Sequence, residues 1–324
     1  NAGNDAQNSN LQIRDGTVAA VGSNNAAAAI TYRDSNAVVV TGINNGIGVG
    51  GNLSLTTAGA ITQTGAIVAG NTSITAGAAN SITLQNAGND FSGPVAVVSA
   101  LNVNLADSND LVLGTSTVSG TLNVNAAGPV TQTGALTVTG LTTLAVGTGN
   151  DITLSNAANN FSTVAIASAN NASLRDTNAL VIGTSTVNNS LALVAGGTIT
   201  QSGAITATSL NAKTLINAGA AIALNNAGND VSNVDLRARN ATDTANVGGA
   251  ISYTDASALN VAAAQSTSTV TFIAGDALTQ SGAIAASTLT ATTRNNAGAA
   301  ITFDNSSNAV TTANLQVRDL AGTA

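Results

Sequence analysis

The chain has 324 residues and a net charge of −7; 44% of its residues are hydrophobic, 7% are charged and 2% are aromatic. It contains no Cys, His, Met or Trp. This composition excludes disulfide frameworks, thiol nucleophiles, Cys or His metal sites and any mechanism with a histidine base. The eight basic residues are scattered, with Arg237 and Arg239 as the nearest approach to a cluster. Because phosphate binding needs grouped cations, we expect no nucleic-acid partner.

The apolar runs are short, and none approaches the roughly 18 residues of a transmembrane segment. Ala26–Ile30 and Val38–Val40 are among the longest. The sequence starts at Asn1 in mid-pattern, without a signal-peptide profile. We therefore expect residues 1–324 to be one continuous segment, excised from a longer array.

Along the chain, the first motif with a known chemical counterpart is Gly46-Ile-Gly48-Val-Gly-Gly51, which has the dinucleotide-binding spacing G-x-G-x-x-G. That chemistry requires a helix after the last glycine to hold the pyrophosphate. The residues that follow, Asn52-Leu-Ser-Leu-Thr56, are strand-like. We interpret the glycines as a turn and expect no cofactor.

A heptapeptide that starts at Ile61 and reads Ile-Thr-Gln-Thr-Gly-Ala-Ile recurs three times. Its glutamine has the parity of the flanking apolar residues, so it could point inward, where it would need partners on neighbouring coils. We interpret this position as structural. The four glutamines are spaced 69, 69 and 79 residues apart: Gln63, Gln132, Gln201 and Gln280.

A second motif, which begins at Ile82 as Ile-Thr-Leu-Gln-Asn-Ala-Gly-Asn-Asp-Phe, keeps the same period. Its copies predict corner turns with internal asparagine ladders. The markers of this motif are Asn86, Asn156, Asn226 and Asn305.

A third motif pairs Asp107–Val118 with Asp176–Val187. Its further copy at Asp255 places the extra residues of the longest repeat within residues 240–250.

Within each repeat, apolar and small polar residues alternate, as in half-buried strands. Asn and Gly interrupt the strands every five to ten positions and favour tight corners. We find no stretch with helical periodicity. Short strands, corners and a long repeat predict an all-β, right-handed parallel β-helix (β-solenoid) with about four super-repeats of about 70 residues. We expect a whole number of coils in each, three or four.

Several residues have chemical alternatives to a structural role. Asp90 and Asp230 are weak candidates for Ca²⁺ ligands, although a single Asp per loop supplies little charge. The carboxylate pairs Asp107/Asp110 and Asp230/Asp235 could serve as the two acids of a glycosidase. Asp107 and Asp110 lie in a turn-like sequence, and we interpret them as solvated turn residues.

Two tyrosines, Tyr32 and Tyr253, each precede an aspartate by two residues. They could contact a partner at the surface or pack over a coil face. Phe91 and Phe161 share a repeat position and are expected in the core.

The phrases at residues 60–67 and 82–95 resemble the repeat regions of filamentous-haemagglutinin-type proteins, which belong to the two-partner secretion and autotransporter-like group. The resemblance covers essentially the whole chain and rests on repeat style. It implies a right-handed parallel β-helix, export across a Gram-negative envelope, and a place in an adhesin shaft or surface fibre. It supplies no catalytic residues.

These observations lead us to expect a non-enzymatic structural shaft of an exported, cell-surface bacterial protein. Its partners would be further copies of its own repeat, and host or surface glycans or proteins. One alternative is a self-assembling extracellular filament of solenoid segments stacked end to end. Another is a carbohydrate-binding or carbohydrate-cleaving solenoid.

Overall fold

The computed structural model describes residues 8–12, 29–44 and 51–322. It is all-β, and no helix in this part of the chain is long and apolar enough to span a membrane. The glycines at 46–50 lie outside the described residues.

The chain divides into two compact units, residues 1–162 and 163–324. That residues 1–324 form one continuous solenoid stays a prediction. In the first unit the strands are β1 (Asn8–Gln12), β2 (Ile30–Arg33), β3 (Val38–Asn44), β4 (Leu53–Thr56), β5 (Ile61–Gln63), β6 (Ile67–Ala69), β7 (Thr72–Thr75), β8 (Ile82–Leu84), β9 (Asp90–Phe91), β10 (Val95–Ser99), β11 (Val103–Asp107), β12 (Leu111–Leu113), β13 (Ser116–Val118), β14 (Leu122–Ala126), β15 (Val130–Gln132), β16 (Leu136–Ala145) and β17 (Ile152–Leu154).

Strand β18 (Asn160–Ser168) contains the residue at which the units are divided. The second unit continues with β19 (Ala172–Asp176), β20 (Leu180–Ile182), β21 (Ser185–Thr186), β22 (Ser190–Ala195), β23 (Ile199–Gln201), β24 (Ile205–Leu215), β25 (Ile222–Leu224), β26 (Asp230–Arg239), β27 (Ile251–Asp255), β28 (Leu259–Gln265), β29 (Thr269–Ala274), β30 (Leu278–Gln280), β31 (Ile284–Arg294) and β32 (Ala309–Arg318).

Each unit is a parallel β-solenoid, as the sequence predicts, and the chain makes about 14 turns in all. In the first unit Ile61 pairs with Ile82, Ile82 with Val103, and Val103 with Leu122, always in parallel. The burial pattern alternates along the strands, so apolar side chains fill a narrow interior while small polar ones face out. Phe91 and Phe161 are both buried, as expected for core residues.

One coil consists of three strand segments. In the first unit the chain passes through β14, β15 and the start of β16, and Thr142 in the second half of β16 then stacks on Leu122 of β14. In the second unit β22, β23 and the start of β24 are followed by Ser209, which stacks on Ser190. The solenoid therefore has three faces.

The sequence repeat is not a whole number of coils, contrary to our expectation. Residues that stack at the same position on successive coils form a column. Three coils from Ile61, its column reaches Leu122 on β14. The residue equivalent to Ile61 in the next sequence repeat is instead Val130, which lies on the following strand, β15. Each repeat therefore comprises three coils and one further face.

The second unit shows the same offset. The column from Ile199 reaches Val270 after three coils, and the copy of Ile199 is Leu278, on the next strand, β30. All three faces accept the same alternating strand, so nothing in the packing requires a repeat to end where a coil closes.

The inserted residues form a surface loop between β26 and β27. Asn240 closes it, because its Oδ1 accepts the backbone N–H of Thr244 at 2.8 Å. Asp243 takes a positive φ of 57° at the tip. The extra residues are therefore accommodated outside the stack and leave the coil geometry unchanged.

The core pattern gives a first test. We expect Ile82→Ala to destabilise the chain by about 2–5 kcal/mol, because it removes buried methyl groups and leaves a cavity. Thr83→Ala, on the adjacent outward position, is the matched control and should change stability by less than about 0.5 kcal/mol. Denaturant unfolding measures both; equal effects would contradict this assignment of inward and outward faces.

Candidate functional site

The described repeats share a hydrogen-bonded pair of amide side chains, one glutamine and one asparagine, which we call the amide clip. In the first copy Gln63 Nε2 donates to Asn89 Oδ1 at 2.8 Å, and Asn89 Nδ2 donates back to Gln63 Oε1 at 3.0 Å. The two residues lie on neighbouring coils, and Asn89 is completely buried. The clip therefore ties one coil to the next through side chains.

The backbone satisfies the remaining polar atoms of the clip. Asn89 Oδ1 also accepts the N–H of Ile67 at 2.9 Å, and Asn89 Nδ2 contacts the carbonyl oxygens of Leu84 and Ala106. Gln63 Nε2 donates a second bond to the Gly65 carbonyl. A buried amide is stable only when its donors and acceptors have partners, and here they do. The same pairing recurs in the other repeats as Gln132–Asn159, Gln201–Asn229 and Gln280–Asn308.

The asparagine markers of the sequence lie beside the clip, not in it. Asn86 Oδ1 accepts the N–H of Gly88 at 2.9 Å, which forms a tight turn, and the Asn86 N–H donates to Gln63 Oε1 at 3.2 Å. The expected asparagine ladders do not form between copies, because successive repeats lie on different faces. The turn instead places the Asn89 side chain in the interior. The other three markers close the same turn: Asn156, Asn226 and Asn305.

The interpretation of Asp107 as a solvated turn residue is wrong, because this aspartate is buried at the corner where the third motif begins. Asp107 is 4% exposed, and its carboxylate accepts the N–H of Phe91 at 3.1 Å and of Asn109 at 3.0 Å. Burial raises the pKa of Asp107 to about 6, although these backbone hydrogen bonds act in the opposite direction. Its neighbour Asp110 is exposed, so the two carboxylates have different environments.

The tyrosine beside the corner aspartate is a core residue in the last repeat. Tyr253 is fully buried and donates its hydroxyl to Asp255 at 2.9 Å, and burial raises the pKa of Tyr253. A surface contact for Tyr253 is therefore wrong, and the packing alternative applies. Tyr32 is partly exposed and donates to Asp34 at 2.7 Å.

The two calcium candidates connect neighbouring coils. Asp90 accepts a hydrogen bond from the Asn109 amide at 3.1 Å, and Asp230 accepts one from the Ser257 hydroxyl at 3.1 Å. No group of three acidic side chains suited to a metal ion occurs in residues 29–44 and 51–322. Asp230 and Asp235 have separate partners, because Asp235 pairs with Arg237.

Charged side chains gather on one face of the second unit. Arg175, Lys213, Arg237 and Arg239, which we call the basic stripe, lie on β19, β24 and β26. In register, Arg175 stacks on Val194, Val194 on Lys213, and Lys213 on Arg237. Four of the eight basic residues of the chain thus meet on one face. The cluster is not visible in the sequence, because residues that stack on adjacent coils are separated by the length of a whole coil along the chain.

Two carboxylates are paired with the basic stripe. Asp243, at the tip of the inserted loop, accepts from Lys213 Nζ at 2.6 Å and from Arg239 Nε at 2.9 Å, and these cations lower the pKa of Asp243. Arg237 Nη2 donates to Asp235 Oδ2 at 2.7 Å, and this hydrogen bond raises the pKa of Arg237.

Beside the basic stripe is an open cavity of about 370 Å³. Its lining combines apolar, amide and charged side chains. The cavity is lined by Ala192, Leu193, Val194, Asn211, Ala212, Lys213, Asp235 and Arg237.

The clip predicts a large effect at one asparagine and a small one at its neighbour. Asn89→Ala leaves the buried Ile67 N–H without a partner and removes two of the hydrogen bonds of the half-buried Gln63 amide, so we expect a loss of about 2–4 kcal/mol of unfolding free energy. Asn86→Ala loses mainly an exposed turn and should cost about 1 kcal/mol or less. Chemical denaturation of the two variants compares them directly. Similar losses would mean that the buried pair contributes no more than the turn.

The corner aspartate predicts a pH dependence. A carboxyl group whose pKa is raised by folding resists ionisation in the folded state. Its contribution is therefore present below its unfolded pKa and is lost as pH rises through about 6. Wild type should lose more thermal stability between about pH 5 and pH 7 than Asp107→Asn, in which this group no longer titrates.

Circular dichroism melts at the two pH values test this expectation. Asp110→Asn is the matched exposed control and should keep the wild-type difference. A wild-type difference that survives in Asp107→Asn would assign the effect to other groups.

The chain matches a family described as Repeats of unknown function (DUF5649), over residues 26–98, 100–168, 169–237 and 248–316. The interval 238–247 between the last two matches confirms the expected place of the inserted residues. No curated protein and no solved structure matches. The four matches cover most of the chain, which therefore belongs to the family of repeats of unknown function DUF5649.

Proposed function

We propose that this chain is a non-enzymatic structural segment, the shaft of an exported bacterial cell-surface adhesin or extracellular fibre. The repeat β-solenoid is consistent with a structural role. The observation that carries the proposal is the use made of the repeated polar side chains. Gln63 and Asn89, and their counterparts in the other repeats, bond to one another and to the backbone across neighbouring coils.

The corner residues support the same role. Asp107 binds the N–H groups of Phe91 and Asn109, and Asp255 binds those of Val231 and Ser257. Chemistry at a carboxylate requires that it reach a substrate. These carboxylates instead hold coil to coil, as expected of a module whose task is to extend.

The scarcity of charge fits a repeated cross-section. Register partners on adjacent coils are about 4.8 Å apart, so like charges at equivalent outward positions repel one another. Small hydroxyl and amide side chains avoid this penalty on every face. A shaft that adds coils without limit benefits from such a sequence, whereas a protein of a single globular unit does not need it.

Fractionation of the native cells tests location and role together. We expect external protease to remove the polypeptide from intact cells, and electron microscopy of the released product to show long thin rods. A pool that resists protease until lysis would contradict export. Compact particles would contradict the shaft.

The size of the parent chain separates the shaft from the filament alternative. Denaturing electrophoresis and mass spectrometry should show one very long polypeptide. Rods that dissociate into many short chains would favour end-to-end assembly.

A further inference from the structure

The basic stripe is a positive surface in a negative protein. Its four cations and its two outward carboxylates, Asp235 and Asp243, give this face a net charge of +2, so the rest of the chain carries −9. Cations stacked on adjacent coils repel one another, and a stable fold tolerates this only at a cost. A face that concentrates half of the basic residues is therefore a candidate for binding an anion.

The cations on this face have N–H groups that the ion pairs within the chain do not use. Arg175 makes no ion pair or side-chain hydrogen bond among the described residues. Lys213 uses one of its three N–H bonds on Asp243, and Arg237 directs Nε and Nη2 at Asp235, which leaves Nη1. The side chains of Lys213 and Arg237 are about one-third exposed, at 32% and 35%.

We propose that the cavity beside the basic stripe binds a linear, carboxylate-bearing polysaccharide that runs across the strands. Arg175 and Lys213 are two coils apart in one column, roughly 10 Å. This is about the length of two sugar units, and a ribbon-like polyuronate presents alternate carboxylates to the same side. Alternate carboxylates of the polysaccharide therefore meet Arg175 and Lys213.

The lining of the cavity suits a sugar. Ala192 and Val194 offer small apolar contacts to ring C–H groups, and Asn211 offers an amide to hydroxyls. The amide of Asn211 has only a long contact of 3.5 Å to Ser190 Oγ. The site thus combines small apolar side chains, a polar group and cations in one column.

Other polyanions fit less well. An extended acidic peptide brings alternate side chains to one side about 6.8 Å apart, which does not match the distance of roughly 10 Å between Arg175 and Lys213. Single-stranded nucleic acid is held by stacking on aromatic side chains as well as by charge, and none of the eight lining residues is aromatic. This inference goes beyond the structural role and does not depend on it.

Binding of the purified full chain to immobilised polygalacturonate tests the proposal. We expect saturable binding at low ionic strength that weakens steeply with added salt. Fully methyl-esterified polygalacturonate, which has the same backbone without the charge, should not bind. Failure to bind polygalacturonate at low salt, or equal binding of the ester, would overturn the proposal.

A pair of double variants with the same net charge locates the site. Arg175→Gln with Lys213→Gln should weaken binding about tenfold or more, because two charge contacts are lost. Arg33→Gln with Arg294→Gln removes two exposed cations outside the stripe and should leave the affinity unchanged. Circular dichroism melts check that both variants remain folded. Equal loss in both would show attraction by bulk charge and overturn the site.

Competition identifies the ligand class. Polyglutamate and single-stranded DNA at the same charge concentration should compete at least tenfold less well than soluble polygalacturonate. If either competes better, the stripe binds that polymer instead and the polysaccharide assignment is wrong. Neither result bears on the shaft, which is tested by cell fractionation and microscopy.

Discussion

The constraint on which the structure depends is the parallel pairing of each coil with the coil below it. This pairing fixes the distance between equivalent positions at about 4.8 Å and aligns them in columns. An inward residue must therefore pack on inward residues above and below, as Ile61 does on Val38 and Ile82. An outward residue likewise lies close to the outward residues on the adjacent coils. This explains why the outward side chains are mostly small and polar and why few are charged.

The amide clip supplies hydrogen-bond partners to backbone groups at the corners of the coils. Backbone hydrogen bonds run from coil to coil along the strands, but a corner leaves backbone groups without a regular partner. Asn89 reaches into such a corner and binds the N–H of Ile67 and two carbonyl oxygens, while Gln63 completes its amide. The polar atoms of the clip are satisfied as a network, and a network of this kind favours one register over a slipped one.

The relation between repeat and coil links architecture to surface. Each repeat ends one face beyond three coils. A residue that recurs once in every repeat therefore lies on a different face of the solenoid in the next repeat. A binding surface on one face cannot then arise from repetition alone; it requires residues outside the repeat pattern. Lys213, Arg237 and the inserted loop with Asp243 are such residues, and they meet on the same face.

The sequence by itself determined the fold class, the period of about 70 residues and the inserted segment, because alternation, corner residues and repetition are local properties of the chain. Through the parity of Gln63 with Ile61, it also indicated that Gln63 and its copies need partners on neighbouring coils. It could not identify Asn89 as the partner of these glutamines or predict that Tyr253 is buried, because both depend on which residues of the adjacent coil stack on them. Nor could it place Arg175 and Lys213 in the same column. Only the tertiary structure decided these contacts, because coil length, not sequence distance, sets which residues stack.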